Sequence, residues 1–325
     1  MFNIINKLER KSLFEAWQSR IKLILYRYYQ YSRIIKGDRR WLLMFVIARF
    51  PWGRATGTLF YSNGIRLGKE TSQKIVSKID YGNSTFEEVD VELVTKSIDR
   101  DGYFLGLKLP QSMVGEILEF AYSTDINADG NPDWKFKYSN REQAASKYNI
   151  DILVGNYATE DLQKCTAFNN LTKDSKLSAI AAKYLNSKPV LVRSQMNWNF
   201  VGDKAAYYRK GDIGTPTVLF HYDLDDYRAI KFFFYLTDVD SLSGSHRCVA
   251  GSHRRRKLVH CILRGQSDRK IEQYYGAENI IEICGSAGFG FAEDPFCFHR
   301  GSPPVTSPRL IIQLEFALND YLLWN

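Results

Sequence analysis

The sequence predicts an α+β fold, and three observations indicate it. Short segments rich in β-branched and aromatic residues, which favour strands, recur through the second half of the chain. Two longer segments, near 110–122 and 171–185, are expected to be helices that support one side of a sheet. Gly285, Gly288 and Gly290 lie where turns or close backbone approaches are expected. The strand candidates are 190–198, 217–223, 230–239, 247–250, 280–283, 288–292 and 309–318.

The second strand candidate, 217–223, contains two side chains that can bind a metal. His221 and Asp223 are two residues apart, and positions i and i+2 of a strand point to the same face, so both can reach one ion. The H-x-D pattern alone is a weak signal, because a strand His followed by a turn Asp is more often structural. Asp225 is an alternative carboxylate in the acidic run that follows, but only Asp223 shares the strand face of His221.

His299 is the best candidate for a third ligand. It is the histidine that precedes a strand with a suitably placed arginine, Arg309 in the candidate 309–318. Two imidazoles and one carboxylate on one side of an ion leave positions open for oxygen and an oxidisable co-substrate, as in non-haem Fe(II) oxygenases. The other histidines lie in Gly/Ser/Arg-rich or basic sequence: His246, His253 and His260.

The last strand candidate places Arg309 on the same face as Ile311, Gln313 and Glu315. A guanidinium there can hold a carboxylate through two parallel hydrogen bonds, whereas a lysine offers a single point charge. The strand therefore predicts an anchor for an anionic co-substrate beside the metal site.

Three longer stretches carry these residues. They are FHYDLDDYRAIKFFFYLTD from Phe220, SGSHRCVAGSHRRRK after it, and FGFAEDPFCFHRGSPP with the following RLIIQLEFAL. In this order they resemble the phytanoyl-CoA dioxygenase-type family of Fe(II)- and 2-oxoglutarate-dependent oxygenases, and the resemblance extends from about Val94 to the C-terminus. One departure is Ala250, where the family usually has proline in a P-G-S-H turn. The resemblance implies a double-stranded β-helix, a jelly-roll barrel closed by two facing sheets.

The family resemblance also implies roles for individual residues. His221, Asp223 and His299 would hold Fe(II), and Arg309 would bind the distal carboxylate of the co-substrate 2-oxoglutarate. Lys231, on the strand candidate that follows the H-x-D pattern, is implied as a further co-substrate contact.

Two more polar residues can reach the co-substrate from the first strand candidate, 190–198. Gln195 and Asn197 share one face of that strand. A polar sheet face exposed to water would explain Gln195, Asn197 and Lys231 equally well. The sequence leaves both interpretations open.

An enzyme of this type uses Fe(II), 2-oxoglutarate and O2, and releases succinate and carbon dioxide while it hydroxylates a C–H bond. Asp223 favours hydroxylation, because related halogenases lack this carboxylate and bind halide in its place. The resemblance does not name the substrate, and we expect a small metabolite, anionic or lipid-like. The basic run from Arg254 to Lys257 is either a phosphate or carboxylate contact or a solvated loop.

The composition is typical of a soluble enzyme with one large core, since the chain has 325 residues, 45% hydrophobic and 25% charged. Its five cysteines are odd in number and contain no C-x-x-C, which disfavours both a disulfide framework and a zinc knuckle. The N-terminus lacks the hydrophobic region of a signal peptide. We therefore expect a cytoplasmic protein.

The positive charge of the chain lies in its N-terminal segment. Residues 1–54 contain 12 Lys/Arg against 3 Asp/Glu, whereas the formal net charge of the whole chain is +8. Apolar and aromatic residues recur at helical spacing between 12 and 35, with arginines among them, which predicts a basic amphipathic helix. We expect a mainly helical appendage, 1–86, ahead of a barrel domain, 87–325. This helix either packs on the enzyme or makes peripheral contact with an anionic membrane through residues 1–54.

The longest apolar run, 41–48, lies in the same appendage. It is much shorter than the roughly 20 residues that span a bilayer. We expect it to be either a buried helix or a segment at a membrane interface.

Two other classes of protein compete with the oxygenase. A non-catalytic binding protein on a degenerate barrel would be expected to have lost a ligand or Arg309, and all four residues are present. The sequence pI of about 9.1 and the phosphate affinity of basic runs suggest a nucleic-acid-binding protein as an alternative. No recognition-helix or single-strand-binding motif is visible, so we expect a small-molecule substrate and no specific nucleic acid.

Overall fold

The computed structural model describes residues 39–62, 84–202, 219–262 and 264–321. The basic amphipathic helix expected between 12 and 35 lies outside the described residues, and so do residues 217 and 218 of one strand candidate. Among the described helices, none has the length and apolar character that crossing a membrane requires.

The elements alternate between helices and short strands. The helices are α1 Arg39–Ile47, α2 Pro51–Ser62, α3 Val91–Asp101, α4 Gln111–Ser123, α5 Arg141–Tyr148, α6 Thr159–Leu162, α7 Thr166–Thr172, α8 Ser175–Leu185, α9 Leu258–Ile262 and α10 Asp268–Tyr275. The strands are β1 Tyr103–Lys108, β2 Ile126–Ala128, β3 Lys135–Phe136, β4 Val154–Asn156, β5 Val190–Asn199, β6 Ala229–Tyr235, β7 His246–Val249, β8 Ile280–Ile283, β9 Phe289–Glu293, β10 His299–Gly301 and β11 Arg309–Ala317. Short 3-10 helices cover Tyr138–Asn140 and Ala277–Asn279.

Two antiparallel sheets build the barrel. The large sheet has the strand order β1-β9-β6-β11-β5-β4-β2-β3, and the small sheet has the order β10-β7-β8. Their inner faces meet in one hydrophobic cluster, in which Phe233, Phe291 and Ile311 of the large sheet pack with Cys248 and Ile283 of the small sheet. Two facing sheets around one core are the jelly-roll arrangement. The expected α+β fold with a double-stranded β-helix is confirmed.

Strand β6 lies inside the large sheet, hydrogen-bonded to β9 on one side and to β11 on the other. All of its residues are buried, which explains why its sequence, AIKFFFY, is almost continuously apolar. Phe232 and Phe234 belong to the outer core beneath the helices, whereas Phe233 and Tyr235 belong to the cluster between the sheets. Alternate residues of a strand share a face, so Lys231 lies on the inner face with Phe233.

Helix α8 covers the outer face of β6 and β11. Its N-terminus is capped by Asp174, whose carboxylate accepts hydrogen bonds from the backbone N–H groups of Lys176 and Leu177. Ser84 Oγ donates to the same carboxylate at 2.9 Å, which ties the segment before α3 to this helix. Asp174 has a non-helical backbone, so the single helix expected over 171–185 is divided into α7 and α8.

The prediction of a strand over 217–223 is wrong for the residues that the structure describes, 219–223. Phe220 and His221 make only isolated bridges, and the residues that follow form no strand. The pairing stops because the backbone N–H of Asp223 donates to the carbonyl of Pro295, out of register with the bridge at His221.

Strand β6 also ends earlier than expected, at Tyr235. Beyond it, Asp238 accepts a hydrogen bond from the backbone N–H of Ala287, which holds the chain in a turn. The strands β2, β3, β4 and β10 were not predicted from the sequence, because each has only two or three residues, too few for a clear alternation. Strand β1 was not predicted either, since its sequence, YFLGLK, does not alternate between apolar and polar residues.

Helices α1 and α2 pack on the barrel. Trp41, Met44 and Ala48 are buried in the same core cluster as the large sheet, so the apolar run 41–48 is a partly buried helix. Phe45 and Ile47 are partly buried against the same core, whereas Leu42, Leu43 and Val46 are exposed.

A buried ion pair joins α2 to the barrel. Arg54 pairs with Asp294, and its guanidinium also donates to the carbonyl of Tyr227 at 3.0 Å. Tyr184 of α8 donates to the Asp294 carboxylate at 2.7 Å, so Asp294 joins α2 and α8 to the end of β9. Burial acts to raise the pKa of Asp294, but Arg54 outweighs burial and holds the pKa below its usual range.

Replacing Tyr184 by Phe is expected to lower the free energy of unfolding by about 1.5–3 kcal/mol, the usual contribution of a hydrogen bond to a charged group. The ring remains, so the loss reports on the hydroxyl that donates to Asp294. Urea unfolding followed by circular dichroism measures it. Tyr148→Phe is the matched control, because its hydroxyl donates to the Lys135 carbonyl at an exposed position. Equal stability of the two variants would contradict the assigned role of Asp294.

Candidate metal and co-substrate site

A cavity of about 360 Å³ lies between the two sheets. Its walls come mainly from the inner faces of β5, β6 and β11, with further side chains from β4, β7 and β10. The six residues that the sequence assigned to the site all line this cavity: Gln195, His221, Asp223, Lys231, His299 and Arg309. The fold therefore brings together residues that are more than a hundred positions apart in the chain.

His221 and His299 face each other across a single backbone bridge. Each donates its backbone N–H to the carbonyl of the other, with N···O distances of 2.9 and 2.8 Å. Residues paired in this way have side chains on the same face, and their ring centroids are 4.6 Å apart. The backbone therefore sets the distance between the two imidazoles.

The Nδ1 atoms of both rings are bonded to the backbone. His221 Nδ1 is 2.8 Å from the carbonyl oxygen of Leu219, and His299 Nδ1 is 3.0 Å from that of Cys297. A carbonyl oxygen can only accept, so Nδ1 carries a proton and donates in both cases. Nε2 of each ring is the atom that remains for a metal.

Asp223 completes the cluster. Its Oδ2 is 3.4 Å from His299 Nε2, and its Oδ1 is 3.9 Å from His221 Nε2. One ligand atom from each of the three residues lies within 4.8 Å of the others. Bonds of roughly 2.0–2.3 Å from three ligands to one ion require a cluster of about this size.

Burial and charge determine the protonation of the cluster. Burial lowers the pKa of His221 to about 3, so this ring is neutral. Burial also acts to lower the pKa of His299, but the carboxylates of Glu293 and Asp223 outweigh it and raise the pKa to about 9. Burial acts to raise the pKa of Asp223, but Lys231 and His299 outweigh it and hold the pKa well below its usual range. A cation bound by the three residues would replace the proton that His299 shares with Asp223.

Glu293 lies behind the cluster and is shared by two histidines. Its Oε2 is 2.7 Å from His246 Nε2, and its Oε1 is 3.6 Å from His299 Nδ1. The rings of His246 and His299 are stacked, with centroids 5.6 Å apart. The Cys297 carbonyl, which accepts from Nδ1 at 3.0 Å, orients the ring of His299, and Glu293 acts on this ring through its charge, which raises the pKa of His299. Neither Glu293 nor His246 was predicted as part of the site, and His246 begins β7, one residue before the expected strand 247–250.

Lys231 is surrounded by three carboxylates. Its Nζ is 2.6 Å from Asp223 Oδ2, 3.3 Å from Glu315 Oε2 and 3.4 Å from Asp225 Oδ2. The Lys231 side chain is 3% exposed and that of Glu315 is 0% exposed, so this charge cluster is shielded from water. Burial raises the pKa of Glu315 to about 8, although Lys231 acts to lower it. Asp225, the alternative metal ligand, faces Lys231.

Arg309 lies at the start of β11, opposite Asn199 of β5. Its guanidinium donates to Asn199 Oδ1 at 2.6 Å and also to the carbonyl of Gly244. The side chain is buried at 6% exposure. A guanidinium in this position can reach a carboxylate of a molecule that occupies the cavity beside the metal cluster.

Side-chain amides cover the wall formed by β4, β5 and β11. Gln195 accepts at Oε1 from Arg193 at 2.8 Å and donates from Nε2 to Gln313 Oε1 at 3.1 Å. Asn156 Nδ2 lies 3.4 Å from Asn197 Oδ1 on the adjacent strand. Among the residues that the structure describes, Gln313 Nε2 is buried with no hydrogen-bond partner. The wall therefore offers at least one donor to a ligand.

The basic run 254–257 is not part of the cavity lining. The guanidinium carbon of Arg256 lies 3.7 Å from the ring centroid of Tyr222 and 3.9 Å from that of Phe296, behind the metal cluster. Arg254 and Lys257 are exposed. Contact of this run with a substrate in the cavity is therefore not supported by its position.

No protein-family model and no curated protein matches the chain. Among solved structures, the non-haem α-ketoglutarate-dependent epimerase SnoN from nogalamycin biosynthesis aligns at 17% identity over 70% of this chain and 80% of its own, with a TM-score of 0.47. HygX from Streptomyces hygroscopicus with nickel and 2-oxoglutarate bound aligns at 15% identity over 70% and 87%, with a TM-score of 0.48. EctD from S. alaskensis with 2-oxoglutarate and 5-hydroxyectoine aligns at 15% identity over 77% and 82%, with a TM-score of 0.48.

Proposed function

We propose that the protein is an Fe(II)- and 2-oxoglutarate-dependent dioxygenase of the phytanoyl-CoA dioxygenase-like type. The observation that carries the proposal is the cluster of His221, Asp223 and His299, with Arg309 in the same cavity. Two imidazole nitrogens and one carboxylate oxygen fit Fe(II) and leave its other coordination positions on the cavity side. The backbone contacts of both Nδ1 atoms support this fit, because they leave each Nε2 to the ion.

The space between this cluster and Arg309 is the proposed site of 2-oxoglutarate. Arg309 would hold the distal carboxylate through paired N–H donors, which fix both its position and its orientation. Phe233 and Ile311 line the same cavity and offer apolar contacts to the methylene carbons. Gln195 lines the cavity as well, and we retain it as a polar contact of the co-substrate.

Iron and 2-oxoglutarate, when bound, would supply the oxidising chemistry, in which 2-oxoglutarate is decarboxylated to succinate and carbon dioxide, one oxygen atom of O2 enters succinate and the other enters a substrate C–H bond. The residues of the chain hold these groups and shield them. His221 and His299 keep their Nδ1 protons on backbone carbonyls, so that Nε2 remains a ligand. Asp223 occupies the third protein position, which favours hydroxylation. Burial between two sheets limits the access of bulk water to the cluster.

The wall of the cavity favours a polar substrate over a lipid-like one. Asn156, Asn197 and Gln313 present amides to the space that a substrate would occupy beside the metal. A hydrocarbon chain there would remove water from these amides without replacing its hydrogen bonds, at about 1–3 kcal/mol for each group. We therefore propose a small molecule with several hydrogen-bond acceptors, such as hydroxyl or carboxylate groups.

Turnover by the purified full-length protein tests the proposed function. Protein loaded anaerobically with Fe(II) and 2-oxoglutarate is mixed with amino acids, sugar nucleotides, lipids and CoA esters, and then exposed to labelled O2. We expect succinate and one polar product that mass spectrometry shows to have gained one labelled oxygen atom. Omission of 2-oxoglutarate is the control. Absence of Fe(II) and 2-oxoglutarate binding would overturn the proposed function, and a product from lipids alone would overturn the polar substrate class.

We further propose a cytoplasmic enzyme whose barrel domain, 87–325, follows a basic appendage, 1–86. All five cysteines are free thiols, as expected in a reducing compartment. The exposed apolar side chains of α1 lie within the basic part of the chain, which supports peripheral contact of residues 1–54 with an anionic membrane.

A further inference from the structure

We infer that Lys231 is a positioning residue that holds the second oxygen of Asp223, and that it is not a ligand of 2-oxoglutarate. The inference rests on the proposed function, since it concerns how Asp223 meets Fe(II). It replaces the role that the sequence assigned to Lys231.

The first support is the number of carboxyl oxygens around the ammonium group. Lys231 Nζ donates to carboxylate oxygens of two residues, of which Asp223 Oδ2 at 2.6 Å is the nearest, and a third carboxyl oxygen lies 3.3 Å from it without accepting a hydrogen bond. The other two belong to Asp225 and Glu315. A 2-oxoglutarate carboxylate at Nζ would have to displace one of them and would add a further negative charge to the group, which Coulomb repulsion opposes.

The second support is the rigidity of the position. Lys231 lies in β6, and its backbone neighbours across the sheet are Glu315 of β11 and Glu293 of β9. Both neighbouring strands are hydrogen-bonded to β6, and the side chain is 3% exposed. The ammonium group therefore has a fixed place from which to orient the Asp223 carboxylate.

The consequence concerns the number of oxygens that Asp223 gives to the ion. Lys231 holds Oδ2 at 2.6 Å, whereas Arg264 Nη2 lies 3.6 Å from Oδ1. Oδ1 is therefore the less tightly held oxygen and is the proposed ligand atom, 3.9 Å from His221 Nε2. A carboxylate that binds through one oxygen occupies one coordination position, whereas one that binds through both occupies two. Lys231 would thus keep a position open for 2-oxoglutarate or O2.

Substitution of Lys231 separates this role from a co-substrate contact. In Lys231→Met we expect metal affinity to fall by roughly 10–100-fold, the usual loss when a residue that orients a ligand is removed. Loss of a positive charge near a divalent ion would by itself tighten binding, so weaker binding reports on orientation. At saturating metal, the Kd of 2-oxoglutarate should stay within about threefold of wild type. Loss of an ionic contact between Lys231 and the co-substrate would raise this Kd by much more.

The measurements are anaerobic Co(II) titration by visible absorption, followed by 2-oxoglutarate calorimetry on the Co(II)-loaded protein. In the variant, the Co(II) spectrum with 2-oxoglutarate bound should also change, because the second oxygen of Asp223 can turn to the ion. Lys108→Met is the matched control, since Lys108 is exposed on β1 of the same sheet. If Lys231→Met does not fold, Lys231→Met combined with Glu315→Gln also replaces the buried carboxyl group opposite Lys231 and is used instead.

Each outcome decides the inference. A 2-oxoglutarate Kd raised tenfold or more with unchanged metal affinity would assign Lys231 to the co-substrate. Tighter metal binding, or no change in affinity or spectrum, would also overturn the positioning role. If the wild-type protein fails to bind Co(II), the proposed function fails, which is distinguishable from a wild-type-like Lys231→Met variant.

Discussion

We expect alanine in place of Asp223 to abolish the proposed coupled reaction, in which succinate release accompanies oxidation of the substrate. This is the expected result because the substitution removes the one anionic ligand of the cluster, whose oxygens lie 3.4 Å from His299 Nε2 and 3.9 Å from His221 Nε2. The loss of metal affinity should exceed the roughly 10–100-fold that follows removal of a residue that only supports a ligand. Metal content after anaerobic dialysis and succinate release measure the two effects.

Asp225→Ala is the control for this experiment. Asp225 is the alternative carboxylate from the sequence, and in the structure its Oδ2 lies 3.4 Å from Lys231 Nζ. We expect this variant to retain iron and coupled turnover. Full turnover in Asp223→Ala together with loss of iron in Asp225→Ala would identify Asp225 as the ligand and contradict the assignment.

Arg309→Lys should weaken 2-oxoglutarate binding by about 2–5 kcal/mol, the range for truncating one member of a buried charged pair. This corresponds to an increase in Kd of roughly thirtyfold or more. A lysine keeps the charge but loses the planar pair of donors that matches a carboxylate. Calorimetry of 2-oxoglutarate binding to the anaerobic, metal-loaded protein measures the change.

Arg247→Lys is the matched control, at a position that does not line the cavity. Arg247 lies on β7 and pairs with Glu282, and both side chains are about a third exposed, at 31% and 32%. Its replacement should leave the affinity for 2-oxoglutarate unchanged. Equal affinities in the two lysine variants would mean that the distal carboxylate is bound elsewhere.

Several strands of the two sheets were predicted closely, although β4 and β10, which also line the cavity, were not predicted. β6, β8 and β11 begin and end within a few residues of their expected limits. A strand that is buried on both faces has an almost continuously apolar sequence, and a strand that is buried on one face has an alternating sequence, so both kinds can be recognised. The break at Asp174 was not predicted, since a helix cap that is also held by Ser84 depends on a contact between distant residues. Likewise, the loss of regular pairing after His221 depends on Pro295, far along the chain.

The same distinction applies to the candidate site. His221 and Asp223 were found from a local pattern, and Arg309 from strand alternation after His299. His246 and Asn199 in the cavity lining, and Glu293 behind the cluster, were not predicted, because the register between strands that are distant in sequence places them there. The carboxyl groups around Lys231 were not predicted for the same reason. Alternation placed Lys231 on the inner face of β6, but only the pairing of β6 with β11 brings Glu315 beside it.

The direct backbone bridge between His221 and His299 also bears on the thermodynamics of metal capture. The mutual hydrogen bonds of these residues, at 2.9 and 2.8 Å, bring the two imidazoles together when the chain folds. The loss of conformational entropy that accompanies this step therefore belongs to folding. In small metal-dependent domains the same loss accompanies binding, so their fold exists only with the ion. Here the ion would meet a preorganised pair of nitrogens, and its affinity would report on coordination rather than on assembly of the barrel.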